Sequence, residues 1–575
     1  MIPHKFNRSL ALLAVAGIIL YFGAILISPL LSGDLEEDLS RPTVTKEEAG
    51  RLAEQLVMSL EPDYRITDTT VLFQTDKTLS AYLQQQKLAQ DYKQQYGDRH
   101  PVDFWEIRIS GEAAQPMWVL RVSMTIPEVT SWNKLSSSAI ASSSTQDRRA
   151  AADAYLLEQG YDLSRFQLIP GSASNLFVYE SLDQQIGESV LELALKFTGD
   201  TISGFMPSFS VPDNFKLWLA KEEALAGTMS WIALAGTFVI NLAAIILVII
   251  NRKEVLFVRG IVFAIIFALI YFIHTVNSLP GVSTQVSPQE AAFMNMFYIF
   301  FTFGLVALLA VAQYFTAISG EQLWRKEGWN SWPRWREAHF GREVFYAMGR
   351  GYLICLFILG VQQFLFLIAG VGFDSFAISD PTQSVHNLYI PALFPLLAWM
   401  AAISEEIIYR LFAISAFKKL FRLPVIAIII SSIIWALGHT GYTIYPSYTR
   451  LFEVAVLGII FGYMFLKYGL FTVIFAHAIM NSTLMAMSLM FTLGTPADIA
   501  WGLFYIAFPA ILGYVLMWLH TWSRRNKRDD GLPAGPVSYW NRPAPAGSKP
   551  YGTDAPPSPE PYSTRNDNEY WSSRR

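Results

Sequence analysis

The chain is expected to be an α-helical polytopic membrane protein of about ten transmembrane helices with an inserted extracytoplasmic α+β domain, and three observations point to that fold class. Of 575 residues, 52% are hydrophobic and only 16% charged, against roughly 45–50% apolar and 25% charged in soluble globular domains. The apolar residues gather into runs of spanning length. A region of about 190 residues near the start and a tail of about 50 are polar instead, so the rest must be very apolar. A single water-soluble domain is excluded.

The formal net charge of -4 provides no basic field, and no basic run interleaved with aromatics stands outside the ends of apolar segments, so nucleic acid is not a partner. The one cysteine, Cys355, lies in an apolar stretch. No intrachain disulfide or cysteine-based metal site is available, and any exported domain must hold by packing.

Residues 1–33 form an N-terminal anchor helix. The run from Leu10 to Leu31 exceeds a signal-peptide core and is long enough to span. Lys5 and Arg8 precede it, while Asp34, Glu36, Glu37 and Asp38 follow, which places the N-terminus in the cytoplasm. Residues 34–225 are then extracytoplasmic. They mix helix-period and strand-period patterns, as an α+β domain does, and two stretches starting at Glu47 and Asp147 look alike: an Ala-bearing amphipathic helix, then a strand, then a hairpin (105–124 and 190–211). The domain reads as two repeats or as one irregular α+β unit. No catalytic grouping falls in it, and its assignment is sensing or substrate gating with a ligand of its own.

Residues 226–350 hold transmembrane helices and a basic cytoplasmic loop, and 351–522 hold the remaining spans. Apolar segments recur at 228–250, 261–279, 291–318, 351–373, 389–416, 425–439, 451–467, 470–493 and 499–521, which with the first makes about ten. The connections bearing Arg252 and Lys253, the group Arg325 to Arg342, Lys418, Lys419 and Arg422, Lys467, and the group Arg524 to Arg528 all fall on the cytoplasmic side of that count. Arg450 is a lone basic exception. Both termini are expected in the cytoplasm. Residues 523–575, rich in Pro, Gly, Ser and Tyr, are expected to form a disordered tail.

Ionisable residues inside spans are costly unless paired or facing a polar cavity. The violations are SEEIIYR, with Glu405, Glu406 and Arg410; WALGH, with Trp435 and His439; and FAHAIMN, with Phe475, His477 and Asn481. Glu406 and Arg410 are spaced i,i+4 with the acid first, the favourable order for a pair, and Glu405 projects about 100° away. His477 and Asn481 share a helix face. Counted at about 1.5 Å per residue from the basic ends, Glu405 lies ~18 Å deep, His477 ~12 Å, Asn481 ~18 Å and His439 ~22 Å, so all four could line one cavity. The competing reading is interhelical polar glue. It suits Asn481 alone better than the set. His274, Asn241, Asn295, Gln313, Gln362 and Gln363 form no comparable cluster and read as packing.

A carboxylate beside a histidine can bind and deprotonate water, and a second histidine with an amide can donate to an oxyanion. HExxH, GxSG and GxGD motifs are absent from the sequence. The ordered set EExxxR, aromatic-xxx-H and HxxxN resembles the CPBP family of intramembrane proteases, which includes the type II CAAX prenyl endopeptidases and Abi-type proteins. The resemblance covers roughly residues 350–520, with Trp435 standing where Phe is common. It implies Glu405 as general base, His439 holding or helping to activate the water, His477 with Asn481 as oxyanion site, and Glu406 with Arg410 in structural or orienting roles. Glu405, His439 and His477 would also serve as a zinc set with an open position. The resemblance favours glutamate-activated water without a metal, so no cofactor is favoured. The expected function is an intramembrane endopeptidase acting on a membrane-associated or CAAX-like protein or peptide. The alternative is a non-catalytic scaffold or sensor coupling an outer ligand to the cytoplasm. A proton-coupled transporter is disfavoured because the helical half shows no repeat.

Overall fold

The computed structural model describes residues 7–32, 41–112, 115–135, 143–169, 175–524 and 538–541. The acidic flank from Asp34 to Asp38 and the tail expected to be disordered, apart from Ser523, Arg524 and 538–541, lie outside the described residues.

The first apolar run forms helix α1 (Arg8–Ser32). It packs on the later helix that contains Leu356 and Gly360, at a crossing where two glycines let the backbones meet: a Cβ on Gly360 would overlap the backbone of Gly17, and one on Gly17 would overlap that of Leu356. Small residues at such a crossing supply the van der Waals contact that associates helices in lipid, where no hydrophobic force acts between them.

The polar region folds as helix α2 (Lys46–Leu60), strand β1 (Ile66–Thr75), helices α3 (Lys77–Gln85) and α4 (Ala89–Tyr96), strands β2 (Asp103–Gly111), β3 (Met117–Ser123) and β4 (Val129–Leu135), helix α5 (Thr145–Glu158), and strands β5 (Phe166–Leu168), β6 (Leu176–Ile186), β7 (Ser189–Thr198) and β8 (Thr201–Phe209). All eight strands make one antiparallel sheet in the order β1-β2-β3-β4-β8-β7-β6-β5. Each half is a helix followed by four meandering strands, and the halves join through β4 and β8, where Trp132 faces Phe205 and Asn133 faces Gly204. Strand β7 alternates buried and half-buried residues along its whole length, the period-two pattern of a sheet with one covered face. Ala49, Ala53 and Val57 of α2 and Ala152 and Leu156 of α5 cover that face. Thr45 caps α2 and Ser144 forms a capping box with Asp147 on α5, satisfying amides that a helix start leaves unpaired.

Helix α6 (Asp213–Ile250) leaves the sheet. Its first turns bury Phe215 and Leu219 in the domain core, and its length, about 57 Å at 1.5 Å per residue, carries it on through the apolar half. There follow α7 (Ile261–Asn277), the short α8 (Leu279–Ser283), α9 (Ala291–Lys326), α10 (Phe340–Phe373), strand β9 (Phe376–Ala377), α11 (Leu397–Glu405), a π-helical stretch (Glu406–Ala413), α12 (Ile414–Phe421), α13 (Pro424–Leu437), strand β10 (Ile444–Tyr445), α14 (Ser447–Tyr468), α15 (Leu470–Ser488) and α16 (Pro496–Arg524). Among the described residues, eight helical segments are long and apolar enough to cross a membrane. The other two of the expected ten are the shorter apolar helices Ile261–Asn277 and Pro424–Leu437, below the ~20 residues of a full perpendicular crossing.

The sheet domain is joined to the helical bundle through side chains. Asn387 Oδ1 accepts from the Phe73 amide at 2.8 Å and its Nδ2 donates to the Phe73 carbonyl at 2.8 Å, occupying part of the outer side of edge strand β1. His386 packs on Phe73 and Trp105. Arg108 Nη1 donates to the Ser283 carbonyl at 3.0 Å and Gln74 Nε2 to the Thr284 carbonyl at 3.0 Å. Strands β9 and β10 pair with each other, and Tyr445 and Ile378 are buried in the same apolar core as the sheet.

Two predictions follow from this packing. Gly360→Val drives a branched side chain into the α1 backbone and is expected to lower stability by about 1–3 kcal/mol or more, read as a lower melting temperature in detergent. Burial, reinforced by Lys46 and Arg99 respectively, depresses His386 and His100 to about 4, whereas unfolded imidazole titrates near ~6.5. Between these values the unfolded chain binds more protons, so stability is intact above pH ~6.5 and falls as the pH drops toward 4. Protection of the sheet domain from protease should therefore weaken between pH 7.5 and 5, and replacing both histidines with Gln should flatten that slope; protection that ignores pH in the unsubstituted protein would refute the assignment.

Candidate active site

Helix α11 ends at Glu405, and the backbone then widens into the π-helical stretch Glu406–Ala413. Single π turns inside helices recur at functional sites because they re-aim neighbouring side chains. Here the two adjacent acids part company. Glu406 is fully buried, with Oε1 at 3.1 Å from Arg410 Nη1 and 2.8 Å from His477 Nδ1. Glu405 is partly exposed and turns toward the two histidines.

Arg410 is held by more than its carboxylate partner. Its guanidinium lies 4.1 Å from the ring centroid of Trp435 and 5.2 Å from that of Phe461, so two π faces share a buried positive charge. The approach to Glu406 is that of an ion pair rather than a hydrogen bond, since Nη1 and Nη2 have no hydrogen-bond partner among the described residues. Behind this layer, Tyr409 is fixed by Thr237 of α6 through its hydroxyl, at 2.8 Å, and by Ser431 of α13, whose hydroxyl donates to its carbonyl at 2.6 Å.

Helix α13 supplies the next group. Trp435 donates its indole N–H to Glu405 Oε2, and one turn later His439 places Nδ1 2.8 Å from the Trp435 carbonyl. A carbonyl can only accept, so His439 Nδ1 carries the proton and Nε2 keeps its lone pair in the neutral ring. Helix α15 places His477 between the acids. His439 Nε2 and His477 Nε2 each lie 3.9 Å from the same atom, Glu405 Oε2, too far for a direct hydrogen bond and suited to an intervening water. Such a water can donate one hydrogen to the carboxylate and the other to His439 Nε2, two acceptors that cannot bond to each other.

Five of the six residues to which the resemblance gives roles thus meet: Glu405, Glu406, Arg410, His439 and His477. Asn481 lies one turn beyond His477 on α15, half-buried, and forms no hydrogen bond with them among the described residues. The sequence marks Trp435 only as an aromatic one turn before the histidine, and its indole bond to Glu405 has no sequence signal beyond that i,i+4 spacing. Phe461, whose ring lies 5.2 Å from that of His477, had none.

A zinc ion would need its ligands at about 2.0–2.2 Å with lone pairs converging. Among the described residues no group of three or more His, Cys, Asp or Glu is arranged to hold a metal ion, and Glu405 Oε2 already accepts from the indole. The residues present do not fit a zinc ion.

Residues 387–483 match the family model described as type II CAAX prenyl endopeptidase Rce1-like. The segment contains every residue of the cluster. The chain is also similar to the sporulation-killing factor biosynthesis protein SkfC of Bacillus subtilis (strain 168), 30% identical over 153 residues, which are 26% of this chain and 29% of that protein. The chain therefore spans under a third of the length of that curated relative. No solved structure matches. With its apolar helices, the Rce1-like segment makes this a multi-pass integral membrane protein.

Removing the charge of Arg410 leaves Glu406 buried beside a histidine alone. Arg410→Met is expected to cost about 3–5 kcal/mol, seen as a large drop in melting temperature in detergent; a melting temperature within a degree or two of the parent's would show that the pair is dispensable.

Proposed function

We propose that the chain is an intramembrane endopeptidase that hydrolyses a peptide bond of a membrane-associated or CAAX-like substrate with a water activated by Glu405. The observation that carries this reading is the approach of two imidazole nitrogens to one carboxylate oxygen, each at 3.9 Å, inside an Rce1-like segment. Glu405 removes a proton from the water held between it and His439, and the oxygen attacks the carbonyl carbon of the scissile bond. The groups on α15 that can donate to the oxyanion are His477, through Nε2 when that nitrogen carries a hydrogen, and the side-chain amide of Asn481. Glu405 then returns the proton to the leaving nitrogen, and an acid and an amine are released.

The remaining residues act as positioners in this scheme. Trp435 holds the carboxylate of Glu405, and Glu406 with Arg410 holds the ring of His477. The basic connections support an arrangement with both termini in the cytoplasm and residues 34–225 outside. Docking of the sheet domain beside the loop that follows His439 supports a role for it in admitting substrate. The same docking is what favours the second reading, a non-catalytic sensor, in which the polar core relays binding of an outer ligand.

Cleavage of a membrane-peptide reporter by the full chain in proteoliposomes separates the two. Glu405→Gln and His439→Ala are each expected to reduce the rate by roughly 100-fold or more while the melting temperature stays near that of the parent. Full cleavage by both variants would remove the catalytic assignment, and a phenotype that survives both but is lost on deleting 34–225 would favour the sensor.

A further inference from the structure

The seam between the two halves of the sheet opens into a cleft. Strands β4 and β8 pair at Trp132 with Phe205 and at Asn133 with Gly204. Beyond those pairs the strands part, and Thr130 and Ser131 of β4 and Pro207 and Ser208 of β8 line a solvent-open cleft of about 360 Å³. Pro207 has no N–H with which to extend a ladder. The volume is at the small end of ligand sites, which run from roughly 300 to 1,000 Å³.

The charge of this cleft is positive and unanswered. Arg99 and Arg121 both line it, and among the described residues neither guanidinium has a hydrogen bond or an ion pair. Arg121 stands opposite Glu106 in the β2–β3 ladder, but that carboxylate is taken by Arg108, at 2.7 Å. Phe104 covers one face of the Arg121 guanidinium, with its ring centroid 4.4 Å away, which leaves the N–H edge open to a ligand. Asp76, the acid among the described lining residues, caps α3, with Oδ1 accepting from the Leu79 amide at 3.0 Å. His100 also lines the cleft, fixed through its carbonyl by the Tyr92 hydroxyl at 2.7 Å, and its Nδ1 is buried without a hydrogen-bond partner. The Ser131 and Ser208 hydroxyls have none among the described residues either. Two guanidinium groups with hydroxyls beside them are complementary to an oxyanion, which accepts from several directions at once.

We propose that the cleft between β4 and β8 binds a small oxyanion, the phosphate or carboxylate of a soluble solute, between Arg99 and Arg121, with Ser131 and Ser208 as further donors. The site stands apart from the endopeptidase reading, and its occupancy is measured without turnover. The full chain in detergent is labelled with phenylglyoxal, which modifies arginine, in chloride, phosphate or acetate at one ionic strength. Peptide mass spectrometry follows the labelling rates of Arg99, Arg121 and the exposed Arg51 of α2. A bound anion slows labelling by the factor 1 + [L]/Kd, about 11-fold at ten times Kd. Saturable slowing of that kind is expected at Arg99 and Arg121 and not at Arg51, in phosphate if a phosphate is the ligand group and in acetate if a carboxylate is.

In Arg121→Gln the labelling of Arg99 should lose its dependence on the anion. Arg99→Gln, at a position whose side chain is exposed, should do the same for Arg121 and keeps the test open if the first variant folds poorly. Rates at Arg99 and Arg121 that are equal in the three salts, or that fall only in step with Arg51, overturn the proposal. Full protection of Arg99 in a folded Arg121→Gln protein overturns it too, because the anion would then be held without the second guanidinium.

Discussion

A carboxylate with no access to water has to be answered by positive charge, and Glu406 is the place where the helical half meets that demand. Its partners come from the same helix, as Arg410, and from α15, as His477. Arg410 in turn draws Trp435 of α13 and Phe461 of α14 onto its faces. Four helical segments are therefore tied to one buried ion pair. Taking charges out of water costs several kcal/mol per ion even after relaxation, so the arrangement is poorly explained as a device for stability alone. It is explained by the orientation it imposes: with Nδ1 held by Glu406, the His477 ring has one direction left for Nε2, toward Glu405.

The division of labour between adjacent glutamates follows from backbone geometry. On a regular α-helix neighbouring side chains diverge by about 100°, and the π-helical widening begins at the second acid. One acid is buried and neutralised, and the other stays partly exposed with an indole N–H and two imidazoles around it. Electrostatic preorganisation of this kind is effective because the groups need no rearrangement as charge develops.

Much of this centre was legible in the sequence because the background is so apolar. Against runs of Leu, Ile, Phe and Ala, a Glu-Glu pair and two histidines stand out, and i,i+4 arithmetic paired Glu406 with Arg410 without a structure. The same arithmetic put His477 and Asn481 on one face, yet only His477 touches the charged group. A shared helix face limits direction and leaves reach unspecified. Other features had no local signature. The clamp of Asn387 on Phe73 joins positions 314 residues apart through a side-chain amide that reads in sequence as an ordinary loop residue. The junction of β4 with β8 is likewise a long-range pairing, and the alternating patterns of the single strands do not encode which strands become neighbours. In the tail, Tyr539 is buried against Trp324 and Trp329, a contact that composition could not foretell.

Tyr445, seated in the core of the sheet domain, lies a short loop after His439. Strands β1 to β8 precede that loop in the chain, so during synthesis the sheet can be complete before the loop exists. The sheet then offers an apolar core into which Tyr445 inserts, and that insertion fixes the end of the arm bearing His439. The order of the polar cluster is in this way tied to the folding of the sheet domain, and a half-assembled chain whose sheet has failed to fold carries its glutamates and histidines without that order.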